Sequence, residues 1–285
     1  MSVVALALLA TIAFSCQKEK TDVNPADEPT EADATAMVEE SMEAESSFDD
    51  VTDVSLAAAI EEGIVSAPDG RFFPFLHLRA RLGPCVDITV TPNDTTYPKT
   101  ITIDFGAGCL CADGKFRKGA IIITLSAPIR RTGSSMTITF RDFYLNRAHI
   151  EGTKLVTNLS TNGNIKFSVK VTGGTVTFPN GRGFAYESVK MITQIDGSVT
   201  AALPDDVFQI EGRSKTIFNG GLTITLDTET PLVKKVACRW INEGKLKIRI
   251  NNRVFMLDYA APDNGDCDNK AMLFFNGNSR LILIS

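Results

Sequence analysis

The sequence predicts an all-β fold: a large antiparallel meander forming a sandwich or a strongly curved sheet, preceded by a short acidic helical arm. Three observations lead there. First, strict period-two alternation recurs: Thr100–Phe105, Ser135–Phe140, Asn164–Val171, Gly221–Leu226 and Lys245–Ile250 each set apolar residues against Thr, Ser, Lys or Arg. That pattern marks antiparallel strands packed on one face and wet on the other. Second, turn signals recur along the chain, at Gly133-Ser134, Asn162-Gly163, Gly173-Gly174, Asn180-Gly181, Asn219-Gly220-Gly221 and Asn276-Gly277. Short hairpins account for this better than helical crossovers. Third, no segment of helical period and useful length follows Gly63. A single open sheet of a dozen strands would curl or split, which favours the sandwich.

Taken in order, the chain divides by charge. Residues 17–63 hold fifteen Asp or Glu against two Lys, a net of −13; the whole chain is −5, so residues 64–285 carry +8. Residues 16–30 have Pro25, Pro29 and almost no large apolar groups, and read as a flexible tether. Residues 31–63 read as an acidic, partly helical arm. Met37, Val38, Met42, Val51, Val54 and Ala58 recur at helical spacing, Asp53 or Ser55 is placed to cap a short helix, and Gly63 to end it. The acid run has two readings: a solvated face, or a dock onto the basic body. The body, residues 64–285, is long enough for one large or two small domains. Within it Ala120–Leu125 is a continuous apolar run, expected as a strand buried on both faces.

The start of the chain speaks to location. Val3–Phe14 is an apolar run too short to span a bilayer, and Ser15-Cys16 follows it. The run and the small residue before Cys16 resemble the lipobox of bacterial lipoproteins. That resemblance implies a signal peptide over residues 1–15, cleavage before Cys16, and acyl chains on Cys16 that hold the protein to a membrane. Met1–Val4 carry no Lys or Arg, a departure from the usual secretory pattern.

Five cysteines remain: Cys85, Cys109, Cys111, Cys238 and Cys267. An exported chain meets oxidising conditions, so pairing is expected and one is left over. Proximity suggests Cys85–Cys109 and Cys238–Cys267, with Cys111 free; Cys85–Cys111 is the rival. A faint internal echo supports the first choice. Ile103-Asp-Phe-Gly-Ala-Gly-Cys109 with Asp113-Gly114 matches Leu257-Asp-Tyr…Cys267 with Asp268-Asn269, each with a cysteine upstream and a strand after.

Thr100–Cys109 and Asp113–Thr124 resemble a stretch in a family of uncharacterised envelope lipoproteins from the Bacteroidota. Asp205–Gly212, Gly265–Asn269 and Ser46–Asp53 resemble the same family. The resemblance covers most of the chain from about residue 40 and implies no activity and no catalytic residue. It implies lipid anchoring to the outer membrane, on the periplasmic or cell-surface side, with Gln17–Lys20 as a charged tether. Cys111 departs from its pattern, in which that turn has one cysteine.

Chemistry is sparse. His77 and His149 lie far apart without ligand spacing. No Gly-x-Ser-x-Gly elbow exists to support a triad. Asp263, Asp266 and Asp268 crowd one loop and form a candidate calcium loop, though Asx residues also build ordinary turns. Asp104, Asp142, Glu187, Asp205 and Asp206 are candidate glycosidase carboxylates that no spacing singles out. One Trp, Trp240, and four Tyr argue against a tryptophan-rich glycan binder. Lys245, Lys247 and Arg249 share one strand face and read as a solvated edge or an attraction to anionic glycan. Asp94-Thr95-Thr96 resembles the O-glycosylation acceptor motif of Bacteroidota envelope proteins, with Thr95 as acceptor. The sequence thus leads to a lipid-anchored, non-enzymatic binding or scaffolding protein of the cell envelope. Its expected partners are the membrane, through the lipid, and an anionic glycan or envelope protein; no metal, cofactor or nucleic acid is expected. The alternative is an envelope hydrolase built from distant carboxylates.

Overall fold

The computed structural model describes residues 31–65, 75–197 and 205–284. The expected signal peptide, Cys16 and the expected tether lie outside the described residues. Helix α1 (Glu31–Val65) comes first, then a short helix α2 (Leu76–Leu82). Fourteen strands follow: β1 (Asp87–Thr91), β2 (Lys99–Asp104), β3 (Cys109–Leu110), β4 (Phe116–Leu125), β5 (Ser135–Leu145), β6 (Ala148–Asn158), β7 (Lys166–Thr177), β8 (Gly183–Asp196), β9 (Val207–Phe218), β10 (Thr223–Lys235), β11 (Glu243–Ile250), β12 (Arg253–Asp258), β13 (Lys270–Phe275) and β14 (Asn278–Leu283). They form one antiparallel meander in which each strand pairs with the next, except that β3 pairs only with β4 and β2 passes directly to β4. The all-β expectation holds.

The alternating segments face as their pattern requires. Ile101 and Ile103 of β2, Met136 and Ile138 of β5, and Ile224 and Leu226 of β10 point into the core. In β4, Ile121, Ile123 and Leu125 are buried but Ile122 only half-buried, so the apolar run is not sealed on both faces. Asn162-Gly163 and Asn276-Gly277 are left-handed turns as expected. Gly173-Gly174 is not a turn but lies inside β7, at a break in its register with β8. Every neighbouring pair from β4 to β11 contains such a register shift. Bulges of this kind bend strands and raise their twist.

The bending has a purpose in α1. One uninterrupted helix of 35 residues replaces the short arm, and it runs past Gly63. Its buried positions, among them Ala34, Val38, Ser41, Glu45, Phe48, Val51, Ser55, Ala58 and Glu62, cover most of its circumference. Only a narrow stripe including Glu39, Asp49 and Asp53 is exposed. The sheet therefore wraps the helix. Contacts follow the strands in reverse order: Glu62 meets Lys99 of β2, Asp50 meets Arg117 of β4, Glu45 meets Tyr186 of β8, and Ser41 meets Thr216 of β9. Ala34 and Val38 pack with β10–β14. A helical turn rises about 5.4 Å and strands lie about 4.8 Å apart, so a helix laid across the sheet meets roughly one strand per turn. The acidic arm is thus the central rod of the domain rather than a separate segment, and of its two readings the dock applies.

The core falls into two clusters. One joins Ala44, Phe48, Val51, Val54 and Ala58 of α1 to α2 and β1–β8; the other joins Ala34, Val38 and Met42 to β10–β14. Between them, at β8 and β9, the inward residues turn polar: Ser188, Ser214 and Thr216 are all buried. Ser188 and Ser214 lie in one cross-strand row with Val171 and Lys154.

The echoed segments adopt matching geometry near the two ends of the sheet. Asp104 accepts from the Gly106 N–H at 2.8 Å and Asp258 from the Ala260 N–H at 3.0 Å. Asp113 accepts from Lys115 N–H at 3.2 Å, and Asp268 from Lys270 N–H at 2.9 Å. Each unit carries its disulfide, Cys85–Cys109 or Cys238–Cys267.

Candidate functional site

Among the described residues, most of the buried ionisable groups lie along the seam between α1 and the sheet, in three clusters. The first surrounds Asp50. Arg117, fully buried on β4, donates through Nη2 to both Asp50 oxygens at 2.9 and 2.8 Å, and through Nη1 and Nη2 to Asp113 at 2.9 and 2.8 Å. Lys115 Nζ reaches Asp50 at 2.9 Å, and Arg81 Nη2 reaches the same carboxylate at 3.1 Å. Burial alone would push the Asp50 carboxyl up, but Arg117 and Lys115 outweigh it and hold it below the ordinary carboxylate value. Asp113 is lowered too, Arg117 overcoming its desolvation.

The second cluster lies at the polar break of the core. Tyr186 O–H donates to Glu45 Oε1 at 2.7 Å, and its ring stacks on Phe48 with centroids 4.7 Å apart. Lys190 binds Glu45 and, at 3.1 Å, both oxygens of Asp49. Burial disfavours the Lys190 charge, yet Asp49 and Glu45 raise its pKa well above the ordinary value. Lys154 is 1 % exposed, and Nζ donates to the Phe48 carbonyl at 2.6 Å. Desolvation dominates there and lowers its pKa to about 8. Gly174 gives Phe48 its room: a Cβ at that position would meet Tyr186 O at 2.6 Å and the Phe48 ring at 2.9 Å. The third cluster is a buried pair, Glu62 with Lys99, to which Tyr97 O–H adds a bond at 2.9 Å.

These clusters hold the helix in place. Their cations and carboxylates face one another, and the concave side of the sheet is filled by α1. Sequence reasoning found the acid run and the basic body but not the pairs, because partners such as Asp50 and Arg117 stand 67 residues apart.

The residues singled out in the sequence lie elsewhere. Cys85 is bonded to Cys109 and Cys238 to Cys267, while Cys111 is a buried free thiol. In the candidate calcium loop, the Lys270 ammonium pairs with Asp268 and lies 3.7 Å from Asp263, so a lysine already supplies the cation. Asp266 N–H donates to Asp263 at 3.3 Å, an ordinary turn bond. Among the described residues, no three His, Cys, Asp or Glu side chains are grouped to hold a metal. The hydrolase carboxylates are dispersed. Asp104 binds Arg141 at 2.5 Å, Asp142 faces Lys118 at 3.4 Å, Glu187 lies opposite Lys215, and Asp206 accepts from Gln194 at 2.7 Å beside Asp205. His149 stacks on Tyr144, and His77 is exposed on α2. Lys245, Lys247 and Arg249 do share the outer face of β11, but β11 lies inside the sheet, between β10 and β12, and not at its edge. Thr95 stands exposed at the tip of the β1–β2 loop, where Asp94 binds the N–H and hydroxyl of Thr96 and leaves the neighbouring hydroxyl clear.

Two disulfides fit an oxidising compartment outside the cytoplasm. Among the described residues, no helix is long and apolar enough to cross a membrane. No family model, curated protein or solved structure matches the chain.

Proposed function

We propose that the chain is a lipid-anchored protein of the cell envelope, held at the outer membrane through Cys16, with a non-enzymatic binding or scaffolding role toward a glycan or another envelope component. One observation carries the non-enzymatic part. The concave face of the sheet, where a curved sheet would otherwise hold a cleft, is occupied by α1, and the carboxylates there are bonded to Arg117, Lys190 and Lys99. A glycosidase needs two carboxyl groups facing each other across open space. Recognition then falls to the outer face and the loops. The two disulfides, the apolar start and the polar stretch after Cys16 support the export part of the reading.

The test has two arms. Mass spectrometry of the protein from its native cell should find Cys16 acylated and N-terminal, in the membrane fraction. The mature chain from residue 16, carrying Cys16→Ser and keeping α1, should bind immobilised envelope glycans or an envelope protein without turning them over. An unmodified Cys16 overturns the anchor, and hydrolysis of any polysaccharide overturns the non-enzymatic role.

A further inference from the structure

At the C-terminal end of the sheet both faces are apolar. Inward, Phe255, Leu257, Leu273, Phe275 and Ile282 fill the core. Outward, on the face that carries Thr, Ser and Lys in most of the other strands, stand Val254 (50 % exposed), Phe274 (39 %), Leu281 (48 %) and Leu283 (62 %), with Met256 and Met272 half-buried between them. Register makes these one patch: Met256 lies opposite Phe274, Met272 opposite Leu281, and Lys270 opposite Leu283. A shallow groove of about 370 Å³ runs between Val254, Met256, Phe274 and Asn278. The patch ends at β14, beside whose outer edge no strand lies among the described residues. Contiguous outward apolar surface at a sheet edge is a liability unless something covers it.

Two further features say what covers it. The next row inward is basic. On β11, Lys247 lies opposite Met256 and Arg249 opposite Val254, both outward, with Arg249 also paired to Asp227 of β10. An apolar surface rimmed by Lys and Arg suits the boundary between acyl chains and anionic headgroups. A second copy of the same face, related by a two-fold axis, would bring like charges together. The chain also enters at this end: Ala34 and Val38, in the first turns of α1, pack against β10–β14. The fourteen residues 17–30 span at most about 50 Å when extended, so an anchor at Cys16 is tethered within that reach of the patch.

We propose that the outer face of β12–β14 is a membrane-contact surface: Val254, Phe274, Leu281 and Leu283 enter the interface of an anionic phospholipid bilayer, and Lys247 and Arg249 meet its phosphates. The inference deepens the anchored-protein reading and rests on Cys16 holding the chain at a membrane. Acylation at Cys16 fixes the distance, and this face fixes the orientation, with the β1 edge and its disulfide loop turned away.

The test uses the acylated protein in anionic vesicles, with Trp240→Phe to remove the native indole and Phe274→Trp to place one in the patch. The introduced indole should shift to shorter wavelength and lose most of its emission to brominated acyl chains. Val189→Trp, on the outer face of β8, should stay unquenched. Flotation and mass spectrometry of Cys16 are read in the same samples. If the protein floats with Cys16 acylated and the indole at 274 is unquenched, the patch proposal fails and the anchor stands. If Cys16 is unmodified, the anchor fails; the patch then stands only if added anionic vesicles quench the indole, zwitterionic ones do not, and about 0.5 M salt weakens the effect. A dimer that Leu281→Glu disperses, with the indole shielded from lipid, would assign the face to a second copy and overturn the proposal.

Discussion

Arg117 of β4 and Asp50 of α1 meet in the interior, where one nitrogen, Nη2, lies within hydrogen-bond distance of both carboxylate oxygens. The guanidinium is fully enclosed and the carboxylate side chain is 1 % exposed. The pair helps to fix the rotation and the axial position of α1, together with the Glu45–Tyr186 and Glu62–Lys99 contacts. Removing one partner strands the other in a medium that solvates charge poorly. Asp50→Ala should therefore cost about 3–5 kcal/mol in urea unfolding, whereas the double variant Asp50→Leu with Arg117→Met should recover much of the loss. Equal losses in the single and double variants would mean that the pair does not position α1.

Acid should act through the same cluster. Asp50 and Asp113 are held below their ordinary value of 3.8 because Arg117 outweighs their burial. Their contribution is complete above that ordinary value and is lost as pH falls through the lower folded values. The stability difference between wild type and Asp50→Asn should be constant from neutrality down to about pH 4 and should narrow below it. A difference that stays flat in acid would remove Asp50 from the account.

Lys154 works in the opposite direction. Its ammonium is buried and donates to the Phe48 carbonyl, with Asp49, Asp53, Glu45 and Lys190 as the surrounding charges; its pKa falls from 10.5 to about 8. Below about pH 8 both folded and unfolded chains hold the proton, and folding bears the full desolvation penalty. Between about 8 and 10.5 the unfolded chain holds more protons, so stability from this group rises with pH. Phe48 O keeps a second acceptor role toward Thr52 Oγ1 at 3.0 Å, so loss of the lysine leaves no orphan. Lys154→Met should stabilise the protein at neutral pH by up to about 3 kcal/mol, with the gain fading toward pH 10.5. Denaturant unfolding across that range checks both size and slope.

The strands were legible where they obey one rule, apolar inward and polar outward. Thr100–Phe105 and Ser135–Phe140 read correctly for that reason. The long helix was not. Burial over most of its circumference erases the stripe by which an amphipathic helix is recognised, and its inward residues include Ser41, Glu45, Asp50 and Glu62 as well as Phe48 and Val51. Those acids look solvated until their distant partners are known. Gly173-Gly174 misled in a similar way. A glycine pair reads as a turn, but here Gly174 makes space for the ring of Phe48, which sequence spacing cannot convey.

The central position of α1 yields its own prediction. Phe48 packs on Tyr186 and is 1 % exposed, so Phe48→Ala should cost about 3–5 kcal/mol. A chain lacking residues 31–65 should fail to give a cooperative unfolding transition, because both halves of the core lose their shared surface. A cooperative, protease-resistant body from residue 66 onward would restore the picture of a detachable acidic arm.

The sulfur chemistry near β1 gives the last prediction. Cys111 Sγ lies 3.8 Å from Cys109 Sγ, which is already bonded to Cys85. Burial pushes the Cys111 thiol up against the opposing influence of Arg117, so the reactive thiolate is scarce in the folded chain. Protein carrying Cys16→Ser should resist alkylation at about pH 8, and unfolding should expose one thiol. Non-reducing peptide maps of acid-quenched protein should show Cys85–Cys109 and Cys238–Cys267. Unfolding at alkaline pH before alkylation should instead let the freed Cys111 thiolate attack Cys109, release Cys85 as a thiol, and produce a Cys109–Cys111 peptide. Each native bridge closes a segment of 24 or 29 residues, so Cys85→Ser or Cys238→Ser should lower stability by about 3 kcal/mol. A native map dominated by Cys85–Cys111, or rapid labelling of folded protein, would place the free thiol on the wrong residue.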